Sequence, residues 1–173
     1  FVTTDLANNI YIAGMYEGNG HFGSVSTSYA FSNIFIAKYD ANGNINWVRN
    51  GECSLGMGWQ DNFINGLVID SNQQIYATGK VSDKVTFNGI TYLTSQHDGQ
   101  IITFKMDAAG NIDWIQSAGN AKNTAGYSEY GKAIQLDHSG HVIVGGSRTD
   151  SSGINYNYQS LTILKYDLNG NLV

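Results

Sequence analysis

The feature that most constrains this chain is a repeat that returns three times with one spacing held fixed. An Asp is followed nine positions later by a Gly at Asp5 and Gly14, at Asp70 and Gly79, and at Asp137 and Gly146. A second landmark is Lys-x-Asp followed by Gly-Asn. It stands at Lys38 and Asp40, Lys105 and Asp107, and Lys165 and Asp167, with glycines at Gly43, Gly110 and Gly170. Trp47 and Trp114 each lie seven residues after the second Asp. The first Asp recurs after 65 and then 67 residues, whereas Asp40 to Asp70 and Asp107 to Asp137 are both 30. All length variation falls between the Gly and the Lys-x-Asp. Composition alone does not hold one spacing constant while its neighbour drifts, so the chain is built from a repeated structural unit.

Each unit reads as two hairpins. Strand b is IYIAG, IYATG or VIVGG, and strand c is IFIAKYD, IITFKMD or LTILKYD. These runs are rich in β-branched and aromatic residues and are bounded by Asp, Asn and Gly turns. In the middle unit the pattern predicts strands near 67–70, 75–79, 101–107 and 112–116. No stretch carries a helical period or a helix cap. Strand c fixes the architecture. In IFIAKY, Ile34 and Ile36 occupy one alternation phase and Phe35, Ala37 and Tyr39 the other. A strand apolar in both phases is buried on both faces.

Four-stranded antiparallel units with two buried faces, repeated in tandem, describe β-propeller blades. The expected fold is therefore all-β, a partial propeller of about three blades. Blade 1 covers about 1–50, blade 2 about 51–119 and blade 3 about 120–173. The b–c connections near 15–32, 80–98 and 147–159 carry the length variation and are expected at the periphery. The segment KVSDKVTFNGITYLTSQHD has room for an added small hairpin. Three blades do not close a ring, which takes about four to eight. The chain therefore reads as part of a longer parent. A Trp is expected next after Val173, and an earlier Lys-x-Asp turn ahead of Phe1.

Charge and composition exclude several functions. Charged residues make up 13% and the net charge is -5, with no Lys/Arg cluster. That argues against a nucleic-acid partner. No run of apolar residues is long enough to span a membrane as a helix. Cys53 is the only cysteine, which rules out an intrachain disulfide. It reads as a small buried or half-buried residue.

Candidate chemistry is sparse. Asp40, Asn42 and Asn44 offer oxygens at alternate positions, as calcium loops do, but Ala109 breaks the pattern in the second copy and no bidentate Glu follows. An Asx-type turn needs only the Asp and the Gly, and that reading is preferred, with no metal or cofactor expected. His138 and His141 flank one turn without a third ligand nearby in sequence, and they read as surface turn residues. The recurring Lys38, Lys105 and Lys165 read as structural, each stem covering apolar neighbours and each ammonium meeting an acid on an adjacent strand. Trp47 and Trp114 read as core packing or as packing between blades. No GxSxG, HExxH or phosphate-binding glycine loop occurs. The candidate ligand-binding residues are Trp59, Tyr127, Tyr156 and Tyr158, aromatics set among Gly, Ser and Asn. Such side chains stack on sugars or anchor protein partners.

The string D-x-x-G-N-x-x-x-W, followed by GLVIDSNQQIYATG or KAIQLDHSGHVIVGG, resembles the SBBP bacterial β-propeller repeat. Segments such as HFGSVSTSYAFSNIFIAKYD resemble versions in exported Bacteroidetes proteins. The resemblance implies a secreted or cell-surface protein, in some members type IX secretion cargo or an adhesin. It implies no catalytic residues. The expectation is a non-catalytic binding or scaffold module whose partners are a protein or glycan surface and the remaining blades of the parent chain. A carbohydrate-binding module, or part of an enzyme with a site in the central channel, are the alternatives.

Overall fold

The computed structural model describes residues 1–28, 30–53, 62–93, 99–119, 129–150 and 158–173. Among these residues every regular element is a β-strand, all strand pairs are antiparallel, and no sheet closes into a barrel. The first unit holds β1 (Val2–Thr4), β2 (Ile10–Gly18), β3 (His21–Phe22), β4 (Val25–Ser26), β5 (Ala30–Tyr39) and β6 (Ile45–Cys53). The second holds β7 (Phe63–Ile69), β8 (Ile75–Val81), β9 (Lys84–Phe87), β10 (Ile90–Leu93), β11 (Gln100–Met106) and β12 (Ile112–Ala118). The third holds β13 (Tyr130–Leu136), β14 (Val142–Asp150) and β15 (Tyr158–Tyr166). The four strands expected in the middle unit are all present, with strand a beginning earlier, at Phe63. Among the described residues no helix is long and apolar enough to cross a membrane.

One turn is used six times. At Asp5, Asp40, Asp70, Asp107, Asp137 and Asp167 the Asp N–H donates to the carbonyl four residues on, at 2.8–3.1 Å. The residue three on donates its N–H back to the Asp carbonyl. That third residue has positive φ each time: Asn8, Gly43, Gln73, Gly110, Gly140 and Gly170. The Asp carboxylate fixes the loop by accepting backbone N–H groups from the residues two and four on, as Asp40 does from Asn42 at 2.9 Å and Asn44 at 2.8 Å.

The sheets stack face to face, and repeat phase decides which residues meet. From the first sheet, Tyr11, Ala13, Ile34 and Ile36 face the second sheet's Ile75, Ala77, Ile102, Phe104 and Met106 in one core. On its other face the second sheet packs Tyr76 and Ile101 against Ile134, Val142, Val144, Leu164 and Tyr166 of the third. Every residue of β8 is buried, and six of seven in β11. The absence of alternation in strand c is thus the consequence of a neighbour on each side. A fully buried Ile in this setting contributes about 2 kcal/mol.

The two tryptophans lie between units, one of the two placements expected of them. Trp47 stands edge-on to Tyr11, with centroids 6.3 Å apart, and a Cβ on Gly110 of the next unit's turn would touch its ring. Trp114 sits 6.0 Å from Tyr166, donates its indole N–H to the Leu168 carbonyl at 2.9 Å, and covers Gly170. The Gly of the first landmark has a different cause. A Cβ on Gly79 or Gly146 would collide with the carbonyl of Phe63 or Tyr130, beside the irregular register of the adjoining strand a.

Two expectations are corrected. The sheets are not three equal four-stranded meanders: they hold six, four and three strands, plus the separate β3–β4 pair. The expected hairpin in the second b–c connection exists as β9–β10, but it hydrogen-bonds to the first unit's β6 through Glu52 with Thr86 and Cys53 with Val85. An unpaired outer strand accepts such an addition through its backbone. In the third unit a fourth strand is represented by the single bridge Tyr166–Leu172. The same hairpin is not peripheral. Val85 and Phe87 are buried in the first core, with Phe87 5.4 Å from Phe104. Pairing with β6 pulls the hairpin between the sheets.

Candidate functional site

Antiparallel order sends the six Asp turns to one end of the strands and the long connections to the other. The turn end is chemically uniform. Asp40 Oδ1 takes two backbone N–H groups, and Oδ2 takes the Asn44 side-chain amide at 2.9 Å. Asp107 and Asp167 repeat this with Asn111 and Asn171. Hydrogen bonds from the Asn44 side chain and backbone hold the Asp40 carboxyl below the usual carboxylate range, and those from Asn171 do the same for Asp167. Asp137 is lowered further, first by the His141 N–H and also by Lys165, 3.1 Å away. These are the contacts of the Asx-turn reading. Among the described residues no three His, Cys, Asp or Glu side chains converge as metal ligands. His141 is held by the Asp137 carboxylate at 3.0 Å, and His138 is exposed.

Of the recurring lysines one crosses a joint and two pair within their own unit. Lys38 lies 5.2 Å from the centre of the Tyr11 ring and donates to Gln73 Oε1 of the next unit at 3.3 Å. Lys105 pairs with Asp113 at 2.9 Å, and Lys165 with Asp137. Only Lys38 finds an amide in place of the expected acid. Cys53 is half-buried against the first core, and burial pushes its thiol up to about 12.

The loop end is individual. Asn62 ties the start of β7 to its surroundings: its N–H donates to Ser32 Oγ at 2.8 Å, its side-chain amide donates to the Ser32 carbonyl, and its Oδ1 accepts from the Ser82 N–H. Asn33 accepts the Cys53 N–H at 2.9 Å. At the second and third units the strands bury two charges, Lys80 and Glu129, each 5% exposed, together with Gln100. The Lys80 ammonium lies 5.9 Å from the Phe63 ring and 5.8 Å from the Tyr130 ring. Those rings stack 6.1 Å apart. A Cβ on Gly119 would strike both the Glu129 carboxylate and the Gln100 amide, so the two groups meet at that backbone. Buried charges persist only with polar or aromatic partners, and Lys80, Gln100 and Glu129 each have further ones.

This cluster escaped the sequence reading because Lys80, Gln100 and Glu129 share no motif. A Lys directly after the landmark Gly79, at the end of an apolar strand, was the available signal. Of the candidate ligand-binding residues, Trp59, Tyr127 and Tyr156 lie outside the described residues. Tyr158 opens β15, its backbone opposite Asp150, and its side chain is likewise outside them. The strands that precede these residues in sequence, β6, β12 and β14, end at the loop end.

No protein-family model matches the chain, and comparison with curated proteins finds no match.

Proposed function

We propose that this chain is a run of three blades of an exported bacterial β-propeller, of the SBBP-repeat kind, and serves as a non-catalytic binding and scaffold module. Its binding surface is the loop end. The observation that carries the reading is the contrast between the two ends. One end repeats a single turn whose carboxylates are occupied by their own loop. The other holds a buried polar cluster, Lys80, Gln100 and Glu129, that no repeat position accounts for. A rigid repeated frame with variable connections at one end is how binding residues are displayed on β-scaffolds. The ligand is a protein or glycan surface, met by Trp59 and the loop tyrosines.

The test is binding to a glycan panel and to surface proteins of the producing cell, comparing Trp59→Ala with Asn42→Ala. Loss of binding in the first, with an unchanged melting temperature, supports the reading. Loss only in the second places the surface at the turn end and overturns it.

A further inference from the structure

We infer that the cleft between the β9–β10 hairpin and β12 binds a neutral saccharide unit, which rests on the loop-end binding reading above and gives it a glycan as its ligand. The cleft has a volume of about 460 Å³. That lies within the roughly 300–1,000 Å³ of small-molecule sites. Directly opposed residues of an antiparallel pair share a face, so register shows which side chains turn towards it. Ser117 and Ile115 stand opposite Ile102 and Phe104, and Tyr92 stands opposite Val85. Val85, Ile102 and Phe104 belong to the first core, and Tyr92 and Ile115 pack against it. These side chains therefore face one joint, between the first and second sheets, and the lining runs only from Val85 to Ser117.

The lining sets the chemistry of the ligand. Val85 and Ile102 are buried and form an apolar floor with the half-buried Ile115. The Tyr92 and Ser117 hydroxyls have no hydrogen-bond partner among the described residues. Among those residues β10 pairs only with β9, and β12 only with β11. Both rims are thus strand edges with backbone N–H and C=O groups unused by any ladder. No charged side chain lines the cleft. An ionised ligand would enter without a counter-charge, and a purely apolar one would leave the hydroxyls and rim groups unpaired. A sugar ring answers both conditions, with a C–H face for the floor and hydroxyls for the rim. Each edge contributes three residues, 91–93 and 115–117. That is about 10 Å of strand, enough for a sugar unit or two and short of the five or so residues of a usual added strand.

The experiment is calorimetric titration of the intact chain with three probes: neutral hexose and N-acetylhexosamine oligosaccharides, uronate-containing oligosaccharides of the same length, and an extended uncharged peptide. Wild type is expected to bind a member of the neutral series and neither of the other probes. Ser117→Arg fills the cleft from an exposed position and is expected to abolish binding with an unchanged melting temperature. Tyr92→Phe and Ser117→Ala each remove one hydroxyl, and each is expected to weaken binding about tenfold. These two milder variants carry the test should the arginine perturb folding. A wild type that binds no neutral oligosaccharide, or only the uronates or the peptide, overturns the inference. So does a folded S117R variant that binds the neutral series like wild type. The loop-end reading is scored apart, by binding of Trp59→Ala to surface proteins of the producing cell. A chain that binds such proteins but no oligosaccharide keeps that reading and sinks this one.

Discussion

The second and third sheets are built from the same repeat and differ in what surrounds them. Ile101 and Leu161 hold one repeat position, yet the first is buried and the second is 81% exposed. Burial here is conferred by the neighbouring unit, as in other stacked arrays where each repeat covers the next. The residue pattern of a unit describes its place in a stack, and the stack decides which of its faces contribute stability.

The comparison breaks or holds on a pair of substitutions. At concentrations that keep the chain monomeric, Ile101→Ala is expected to cost about 3 kcal/mol in denaturant unfolding. Leu161→Ala is expected to stay within about 0.5 kcal/mol of wild type. Equal costs would mean that the third sheet is covered within the monomer. Trp114→Ala comes next, at about 2 kcal/mol, because the ring is half-buried but bridges the second and third units through Tyr166, Gly170 and the Leu168 carbonyl. Trp114→Phe should recover part of the loss, short of the hydrogen bond.

Acid sharpens the role of the turns. Asp40, Asp137 and Asp167 have folded pKa values lowered by turn hydrogen bonds, and in Asp5 and Asp107 such bonds outweigh an opposing effect of burial. A lowered folded pKa means that the unfolded chain takes protons first. The stabilisation is present above the unfolded value of about 3.9 and is lost as pH falls towards the folded values. The melting temperature should therefore be flat from neutral pH to about pH 5 and fall below about pH 4. Asp40→Asn should make that fall shallower. The smallest effect is expected at Gln73, a non-glycine residue at φ 61. Gln73→Gly should raise stability by about 0.5 kcal/mol in thermal unfolding, net of the lost Lys38 contact.

Much of the frame was legible in the sequence. The constant interval from Asp40 to Asp70 marks the d strand plus the a strand of the next unit, and the apolar residues in both phases of IITFKM report the middle sheet's neighbour on each side. The inserted hairpin was legible from the length of its connection. Its partner was not, because the pairing of Cys53 with Val85 runs through backbone groups that leave no side-chain signature. The identity of all six turns was hidden for a related reason. Asn8 and Gln73 stand where the other four turns have Gly, yet the Asp carboxylate and backbone alone close the loop. At the loop end, the aromatic candidates were chosen by residue type. The Lys80, Gln100 and Glu129 cluster depends on three distant segments meeting, which no local pattern encodes.

Native-state hydrogen exchange of the monomer tests the central claim most directly. The account predicts that amides of β8, from Ile75 to Val81, exchange slowest. They should be about tenfold slower than those of Val142 to Arg148 in β14, which is also central in its sheet but covered on one face. Protection of β14 equal to or greater than that of β8 would contradict the claim that the middle sheet draws its stability from a neighbour on each side.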